Sequence, residues 1–169
     1  MVDYGLGNLP SVTKALERVG ADTTLVADRS GFDVDLDAVV LPGVGHFGAG
    51  ARNLAERGFV APLKAWAASG RPFLGICVGL QLLFEWSEED PDSRGLGIVE
   101  GEVRRLRAGG LKIPHMGWNT VEVPRRTRIL RSIGPDDMVY FVHSYYVDPD
   151  PSVAVGVTEH GQRFCDEVA

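Results

Sequence analysis

The chain is 169 residues long, which is enough for one domain built around a single hydrophobic core. Its 44% hydrophobic and 24% charged residues exclude the composition of an intrinsically disordered protein. Because 17 basic residues stand against 23 acidic ones, the net charge of −6 disfavours nucleic acid as a partner.

The length of the apolar segments, the N-terminal pattern and the number of cysteines predict the cellular compartment. The longest uncharged apolar stretch, residues 72–84, is well below the roughly 20 residues that a membrane-spanning helix needs. The N-terminus carries no signal-peptide pattern, so we expect a cytoplasmic protein with Cys77 and Cys165 reduced. The two cysteines are far apart in sequence and no ligand spacing is present, so we expect neither a metal nor another cofactor.

The first half of the chain alternates predicted strands with predicted helices. A helix with Pro10 in its first turn ends before Gly20, and a second helical pattern covers residues 49–69 with interruptions at Gly58 and Pro62. The segments predicted as strands are residues 1–4, 23–27, 38–41 and 72–76. This alternation is typical of a doubly wound α/β fold, in which helices cover both faces of a mostly parallel sheet.

The second half is predicted to be rich in β-structure. Strands are predicted at residues 97–106, 112–123, 138–147 and 153–158, with a short helix at residues 128–133. No change of composition marks a boundary. We therefore predict one α/β domain over residues 1–169, in which an antiparallel β extension is added to a three-layer, flavodoxin-like core.

The sequence Gly-Ile-Cys-Val-Gly at residues 75–79 has the form of a nucleophile elbow, a sharp turn between a strand and a helix that exposes a reactive side chain. Glycines at both ends fit, because a Cβ there would collide with neighbouring backbone. We expect the helix N-terminus to lower the pKa of the Cys77 thiol, and the N–H of Val78 to face an oxyanion. The alternative is that Cys77 is an ordinary core cysteine, which the paired glycines disfavour.

A second glycine loop, residues 42–46, follows the predicted strand at 38–41. The carboxyl ends of parallel strands meet at one edge of a sheet, so this loop is expected near Cys77. Val44 or Gly45 could then supply a second oxyanion donor. Gln81 lies one helical turn after Cys77, where its amide could reach a substrate.

Five segments together resemble one family. In order they are residues 3–8 (DYGLGN), 41–47 (LPGVGHF), 75–81 (GICVGLQ), 114–119 (PHMGWN) and 141–146 (FVHSYY). The chain is similar nearly end to end to the glutaminase subunits of imidazole glycerol phosphate synthase, which are class I glutamine amidotransferases of histidine biosynthesis. The elbow alone indicates the superfamily, whereas the first and fourth segments select this member.

The resemblance implies that Cys77 attacks the side-chain amide of glutamine, and that the ammonia passes to a (β/α)₈ cyclase subunit in a heterodimer. It also implies roles for the following residues: Val44 and Val78 as oxyanion-hole donors, Gly43, Gly45, Gln81, His143, Ser144 and Tyr145 in substrate binding, and Trp118 and Asn119 at the cyclase interface.

The chain departs from the family at its end. The family places its catalytic base and the carboxylate that orients it in a C-terminal His-Pro-Glu motif, and no such motif occurs here. None of the four histidines is followed two residues later by Asp or Glu, so we expect this sequence to be a fragment that lacks both ends and the general base. The alternatives are a noncatalytic partner-binding subunit or a glutaminase serving another synthetase, and the setting of Trp118 argues against the latter.

Overall fold

The structure is a computed structural model that describes residues 1–32 and 35–169. Residues Met1–Val99 form a first unit and residues Glu100–Ala169 a second. Each unit is described by itself.

Parallel strands form the centre of the first unit. Strand β1 (Val39–Leu41) pairs in parallel with β2 (Phe73–Gly75), in a register that places Leu41 opposite Gly75. The N-terminal segment runs beside β1, since the N–H of Val2 donates to the carbonyl of Val40 over 2.9 Å. Val2 also forms a parallel bridge with Val26. The four segments predicted as strands therefore lie side by side, but residues 1–4 and 23–27 form only the single bridge between Val2 and Val26 and not full strands.

The helices of the first unit come between these strands and after β2. They are α1 (Leu9–Arg18), a 3₁₀ helix (Arg29–Phe32), α2 (Phe47–Glu56), α3 (Val60–Ala68) and α4 (Val78–Gln81). Asn8 caps α1 by accepting the N–H of Ser11. The predicted helix at 49–69 is two helices, because Gly58 adopts a φ of +73° and ends the first of them.

Large apolar side chains fill the first unit. The largest fully buried ones are Val2, Tyr4, Leu41, Phe47, Leu54, Phe59, Leu63, Leu82, Phe84 and Leu96. They come from the N-terminal segment, from β1, from α2, from α3 and the residue before it, and from the segment that follows Cys77. The strands that end at the candidate site are therefore held on a rigid core.

The second unit is antiparallel. Its strands are β3 (Gly101–Arg105), β4 (His115–Thr120), β5 (Met138–His143), β6 (Tyr145–Pro149), β7 (Ala154–Glu159) and β8 (Arg163–Val168). Four of them form a sheet in the order β3-β6-β8-β7, and β4 pairs with β5. The α/β class with an antiparallel extension is therefore confirmed.

Two local predictions for this unit are wrong, and one strand was missed. Residues 138–147 form two strands, because the chain turns at Ser144 and β6 joins a different sheet from β5. Residues 128–133 form turns rather than a helix, and a six-residue segment before Gly134 and Pro135 gains too few hydrogen bonds to offset helix nucleation. Strand β8 was not predicted, since its Asp166 and Glu167 are residue types that strands disfavour.

No helix among the described residues combines the length and the apolar character needed to cross a membrane.

Candidate active site

Cys77 occupies a strained turn at the end of β2. It lies between Gly75, the last residue of β2, and Val78, the first residue of α4. Its backbone angles are φ +55° and ψ −119°, and it is the one non-glycine residue with positive φ among residues 1–32 and 35–169. Such a conformation costs about 1–3 kcal/mol and persists only where the surroundings impose it. The strain and the exposure of Cys77 agree with a nucleophile elbow.

The two glycines of the elbow are required by backbone packing. A Cβ at Gly75 would lie 2.7 Å from the Cα of Leu80, and a Cβ at Gly79 would overlap the carbonyl oxygen of Leu41. The same Leu41 oxygen accepts the N–H of Ile76 over 3.0 Å. Leu41, the last residue of β1, thus holds Ile76 at the start of the elbow, and its carbonyl fills the space beside Gly79 at the end of the elbow.

The glycine loop that follows β1 packs directly against this elbow. A Cβ at Gly43 would overlap the backbone nitrogen of Gly79 and lie 2.9 Å from the carbonyl carbon of Val78. The structure therefore brings together the two loops that the sequence predicts as neighbours. Beyond this contact, Val44 is 47% exposed and Gly45 is exposed as well, so this part of the loop borders solvent.

The electrostatics of the Cys77 thiol differ from the prediction. Desolvation raises the pKa of the thiol most strongly, the backbone N–H of Val78 lowers it through a hydrogen bond, and the negative charge of Glu89 raises it. The net pKa lies above the ordinary value. Helix α4 has only four residues, so its dipole is too small to offset desolvation.

Glu89 is a candidate residue that sequence reasoning missed. Its Oε2 accepts the N–H of Phe47, the first residue of α2, over 2.7 Å. The carboxylate is thus fixed at a helix N-terminus while its charge acts on Cys77. The available signal is the acidic run that follows the elbow at residues 88–90.

Gln81 is buried in α4, and its N–H donates to the carbonyl of Cys77 over 3.1 Å. It thus lies one turn after the nucleophile, as the spacing predicts.

In the second unit, three side chains form a directed chain of hydrogen bonds across β4 and β5. His143 Nδ1 lies 2.9 Å from the carbonyl of Tyr145, His115 Nδ1 lies 3.0 Å from His143 Nε2, and the Asn119 amide lies 3.3 Å from His115 Nε2. A carbonyl only accepts, so His143 Nδ1 donates to it, His115 Nδ1 donates to His143 Nε2, and Asn119 donates to His115. Both rings are then neutral.

Burial supports this assignment. Desolvation is the largest cause that lowers the pKa of His115, to about 4, and it also lowers the pKa of His143. His160 stacks on His115 with ring centroids 4.2 Å apart and adds to both shifts. Because both ring nitrogens of His143 are used internally, its ring holds the segment that continues into Ser144 and Tyr145.

His46 and His160 also hold backbone in place. His46 Nδ1 accepts the N–H of Gly48 and caps α2, and His160 Nε2 donates to the carbonyl of Lys112. Every histidine of the chain therefore makes a hydrogen bond within its own unit.

The outer face of β4 and β5 is apolar and exposed, and we call it the β4–β5 face. Its large side chains are 52–66% exposed: Met116, Trp118, Met138, Tyr140 and Val142. The register places Trp118 opposite Tyr140, and their rings meet edge to face with centroids 5.6 Å apart. Asn119 points to the other face, where its amide donates to the carbonyl of Glu159. Of the two residues that the resemblance assigns to an interface, only Trp118 is on this face.

Comparisons with known proteins agree with this geometry. The model of the family described as "Glutamine amidotransferase class-I" matches residues 1–166. A protein of Aquifex aeolicus named "Imidazole glycerol phosphate synthase subunit HisH" is 47% identical over 169 residues, which cover 99% of this chain and 81% of the relative. A protein of the same name from Moorella thermoacetica is 48% identical, over 97% of this chain and 78% of the relative.

A solved structure described as "Crystal structure of glutamine amidotransferase" matches with a TM-score of 0.72 at 18% identity, over 95% of this chain and 84% of that one. At this identity the match supports the fold.

Proposed function

Because the chain belongs to the class I glutamine amidotransferase family, we propose that it is the glutaminase subunit of an imidazole glycerol phosphate synthase. It hydrolyses L-glutamine to glutamate and ammonia, and the ammonia serves histidine biosynthesis. The observation that carries this proposal is Cys77, strained and exposed at an elbow whose glycines pack against the loop after β1.

The chemistry follows from the position of Cys77. Its sulfur attacks the side-chain amide carbon of glutamine, the C–N bond breaks, and the proton given up by the thiol ends on the nitrogen, which leaves as ammonia. Water then attacks the glutamyl thioester, which gives glutamate and returns the thiol. The covalent intermediate divides a difficult hydrolysis into two easier steps.

The oxyanion of each step needs donors on the side of the carbonyl oxygen. We assign this role to the backbone N–H groups of Val44 and Val78, which belong to the two loops that pack together through Gly43 and Gly79. The space beside Gly45 is open and leaves room for substrate against the loop, whereas Gly43 lets the loop pack closely on the elbow. We propose both glycines as part of the substrate-binding loop. Removal of one such donor typically costs about 10²–10³ in rate.

Substrate recognition needs a negative charge for the α-ammonium group of glutamine and a polar partner near its side-chain end. Glu89 supplies such a charge close enough to act on Cys77, and Gln81 lies one helical turn away from the nucleophile. We extend the proposal to His143, Ser144 and Tyr145 of the second unit as substrate-binding residues, on the resemblance of their segment alone.

The partner that this function requires is a (β/α)₈ cyclase subunit that uses the ammonia. The β4–β5 face suits a stable protein interface, because it groups exposed Met, Trp and Tyr side chains, which are enriched at interface centres. We therefore propose this face as the surface that binds the cyclase.

Active-site labelling tests the proposed function. A diazoketone analogue of L-glutamine should alkylate one residue, with loss of N₂, and peptide mass spectrometry should find the label on Cys77. L-Glutamine should slow the labelling by competition, whereas L-asparagine, which is one methylene shorter, should not. A label on Cys165, or labelling that ignores L-glutamine, would show that Cys77 is not a glutaminase nucleophile.

Trp118→Ala should weaken cyclase binding by on the order of 2 kcal/mol or more, because a large aromatic anchor at the centre of an interface contributes this much. The melting temperature should change little, since Trp118 is 66% exposed in the free protein. Titration calorimetry with purified cyclase gives the first quantity, and thermal unfolding gives the second.

Leu111→Ala is the control for this prediction, because Leu111 is 55% exposed but lies outside the β4–β5 face. Its binding should match that of the unchanged protein. If Trp118→Ala instead lowers the melting temperature strongly and leaves binding intact, Trp118 contributes to the fold and the proposed face is wrong.

A further inference from the structure

Asp90 holds the loop at residues 87–93 against helix α2. Its Oδ2 lies 3.4 Å from the Nη1 atom of Arg52, which is in the second turn of the helix. A Cβ built at Gly48, in the first turn, would overlap the same Oδ2 and lie 2.6 Å from the Cγ of Asp90. The carboxylate therefore occupies the space that a side chain at position 48 would fill. We call these contacts of Asp90 with Gly48 and Arg52 the clamp.

The clamp is ionised and is partly withdrawn from water. The Asp90 side chain is 20% exposed, whereas that of Arg52 is 60% exposed. Desolvation raises the pKa of Asp90, but hydrogen bonds from Ser93 and Arg52 lower it by more, so this pKa lies below its ordinary value. Ser93 belongs to the same loop, and its Oγ also lies 3.4 Å from the Nη1 of Arg52. One guanidinium group thus contacts the loop at two side chains.

Glu89, the residue before Asp90, is held at the start of the same helix. Its Oε2 accepts the N–H of Phe47 over 2.7 Å, and its own N–H donates to the hydroxyl of the fully buried Ser87 over 3.1 Å. The negative charge of Glu89 acts on the Cys77 thiol from this position. Because Asp90 is the adjacent residue, the clamp also limits where the Glu89 carboxylate can move.

We propose that Asp90 is a positioning residue, whose clamp on Gly48 and Arg52 holds the Glu89 carboxylate at the N-terminus of α2. This proposal rests on the proposed function in taking Glu89 as the group that binds the α-ammonium group of glutamine. A flexible carboxylate loses conformational entropy when it is ordered by a ligand. A carboxylate that is already held loses less, so Asp90 increases the affinity for glutamine without contacting it.

The first test is the rate of Cys77 labelling by the diazoketone analogue of L-glutamine, measured over a range of analogue concentrations. Asp90→Ala should raise the half-saturating concentration on the order of tenfold, as expected when a hydrogen bond to a charged group is weakened. The maximal labelling rate should change much less, because the elbow is intact. Asp92→Ala is the matched control, since it removes the same charge from an exposed side chain of the same loop and keeps the backbone N–H that bonds to Asp90.

Gly48→Ala tests the clamp from the helix side. The new Cβ would displace the Asp90 carboxylate, which is the end of a side chain and can move. Alanine is also a better helix former than glycine, so the melting temperature should not fall. The half-saturating concentration should nevertheless rise as it does in Asp90→Ala. Combining the two substitutions should give no further rise, because the methyl group then has no carboxylate to displace.

A second readout does not involve glutamine. In a Cys165→Ser background, the pH profile of Cys77 alkylation by iodoacetamide reports the charge near the thiol. Because the charge of Glu89 raises the pKa of this thiol, Glu89→Gln should move the midpoint of the profile to lower pH. Asp90→Ala should move it in the same direction, by a smaller amount. A purely structural role of Asp90 would lower the melting temperature and leave the midpoint unchanged, and that result would overturn the proposal.

The two readouts separate the failure of this proposal from that of the proposed function. If the midpoints move as expected but the analogue labels not even the unchanged protein, the proposed function is refuted and the clamp stands. If the analogue labels the unchanged protein but neither Asp90→Ala nor Gly48→Ala raises the half-saturating concentration, the positioning role of Asp90 is refuted alone. If Glu89→Gln changes neither readout, Asp90 has no carboxylate to position and the proposal is again refuted.

Discussion

Cys77→Ser is expected to abolish the covalent reaction with glutamine. A serine hydroxyl at this position is far less ionised than a thiol. The position is also desolvated and close to the negative charge of Glu89, and both effects disfavour an anion. Removal of the nucleophile from a cooperating catalytic set can cost up to about 10⁶ in rate. Hydroxylamine trapping of the glutamyl enzyme, measured as γ-glutamyl hydroxamate, should give no product above background.

Cys165→Ser is the matched control. Burial is the main cause that raises the pKa of the Cys165 thiol to about 12, and this thiol donates to the carbonyl of Glu167 within β8. Such a thiol is unreactive at neutral pH, so the variant should form hydroxamate at the unchanged rate. Hydroxamate formation by Cys77→Ser at the unchanged rate would show that the reaction does not use this sulfur.

The sequence predicts the first unit better than the second. Strands β1 and β2 are short apolar runs, and the break between α2 and α3 follows from Gly58. The interruption predicted at Pro62 is wrong, because Pro62 lies in the first turn of α3, where proline is tolerated. In the second unit, strand limits depend on pairing partners that are distant in sequence. Residues 138–147 read as one continuous strand, yet they divide at Ser144 because β5 pairs with β4 whereas β6 pairs with β3 and β8. No local pattern contains that information.

In the candidate site too, residues fixed by a local pattern are predictable from the sequence, and residues placed by the rest of the fold are not. Cys77 and its glycines are identifiable because the turn itself requires those residue types at fixed spacing. The role of Glu89 depends on where the rest of the fold places it, which is at the N-terminus of α2. The direction of the thiol pKa shift was mispredicted for the same reason, because the helix N-terminus is visible in sequence but desolvation is not.

Gly79→Ala is expected to disrupt the elbow more severely than a surface substitution could. The new Cβ would overlap the carbonyl oxygen of Leu41 and lie 2.8 Å from its carbonyl carbon, and both atoms are backbone in β1. No rotamer change relieves this overlap, so β1 and the elbow must move apart. Overpacking a core typically costs about 1–3 kcal/mol, and more when backbone is displaced. A shift of about 1 Å at a nucleophile can cost about 10² in rate, so labelling of Cys77 should slow by at least that factor.

Gly134→Ala separates this steric effect from the general effect of adding a methyl group. Its Cβ would meet only the Asp137 carboxylate at 3.5 Å, which is an ordinary contact, and Gly134 is not among the glycines with positive φ. Its stability should stay within about 0.5 kcal/mol of the unchanged protein. Urea unfolding and the rate of Cys77 labelling, measured on both variants, test the argument. If Gly79→Ala matched Gly134→Ala in both measurements, β1 and the elbow could separate at no cost, and the close packing of Leu41 on Gly79 would not be what holds Cys77 in its strained conformation.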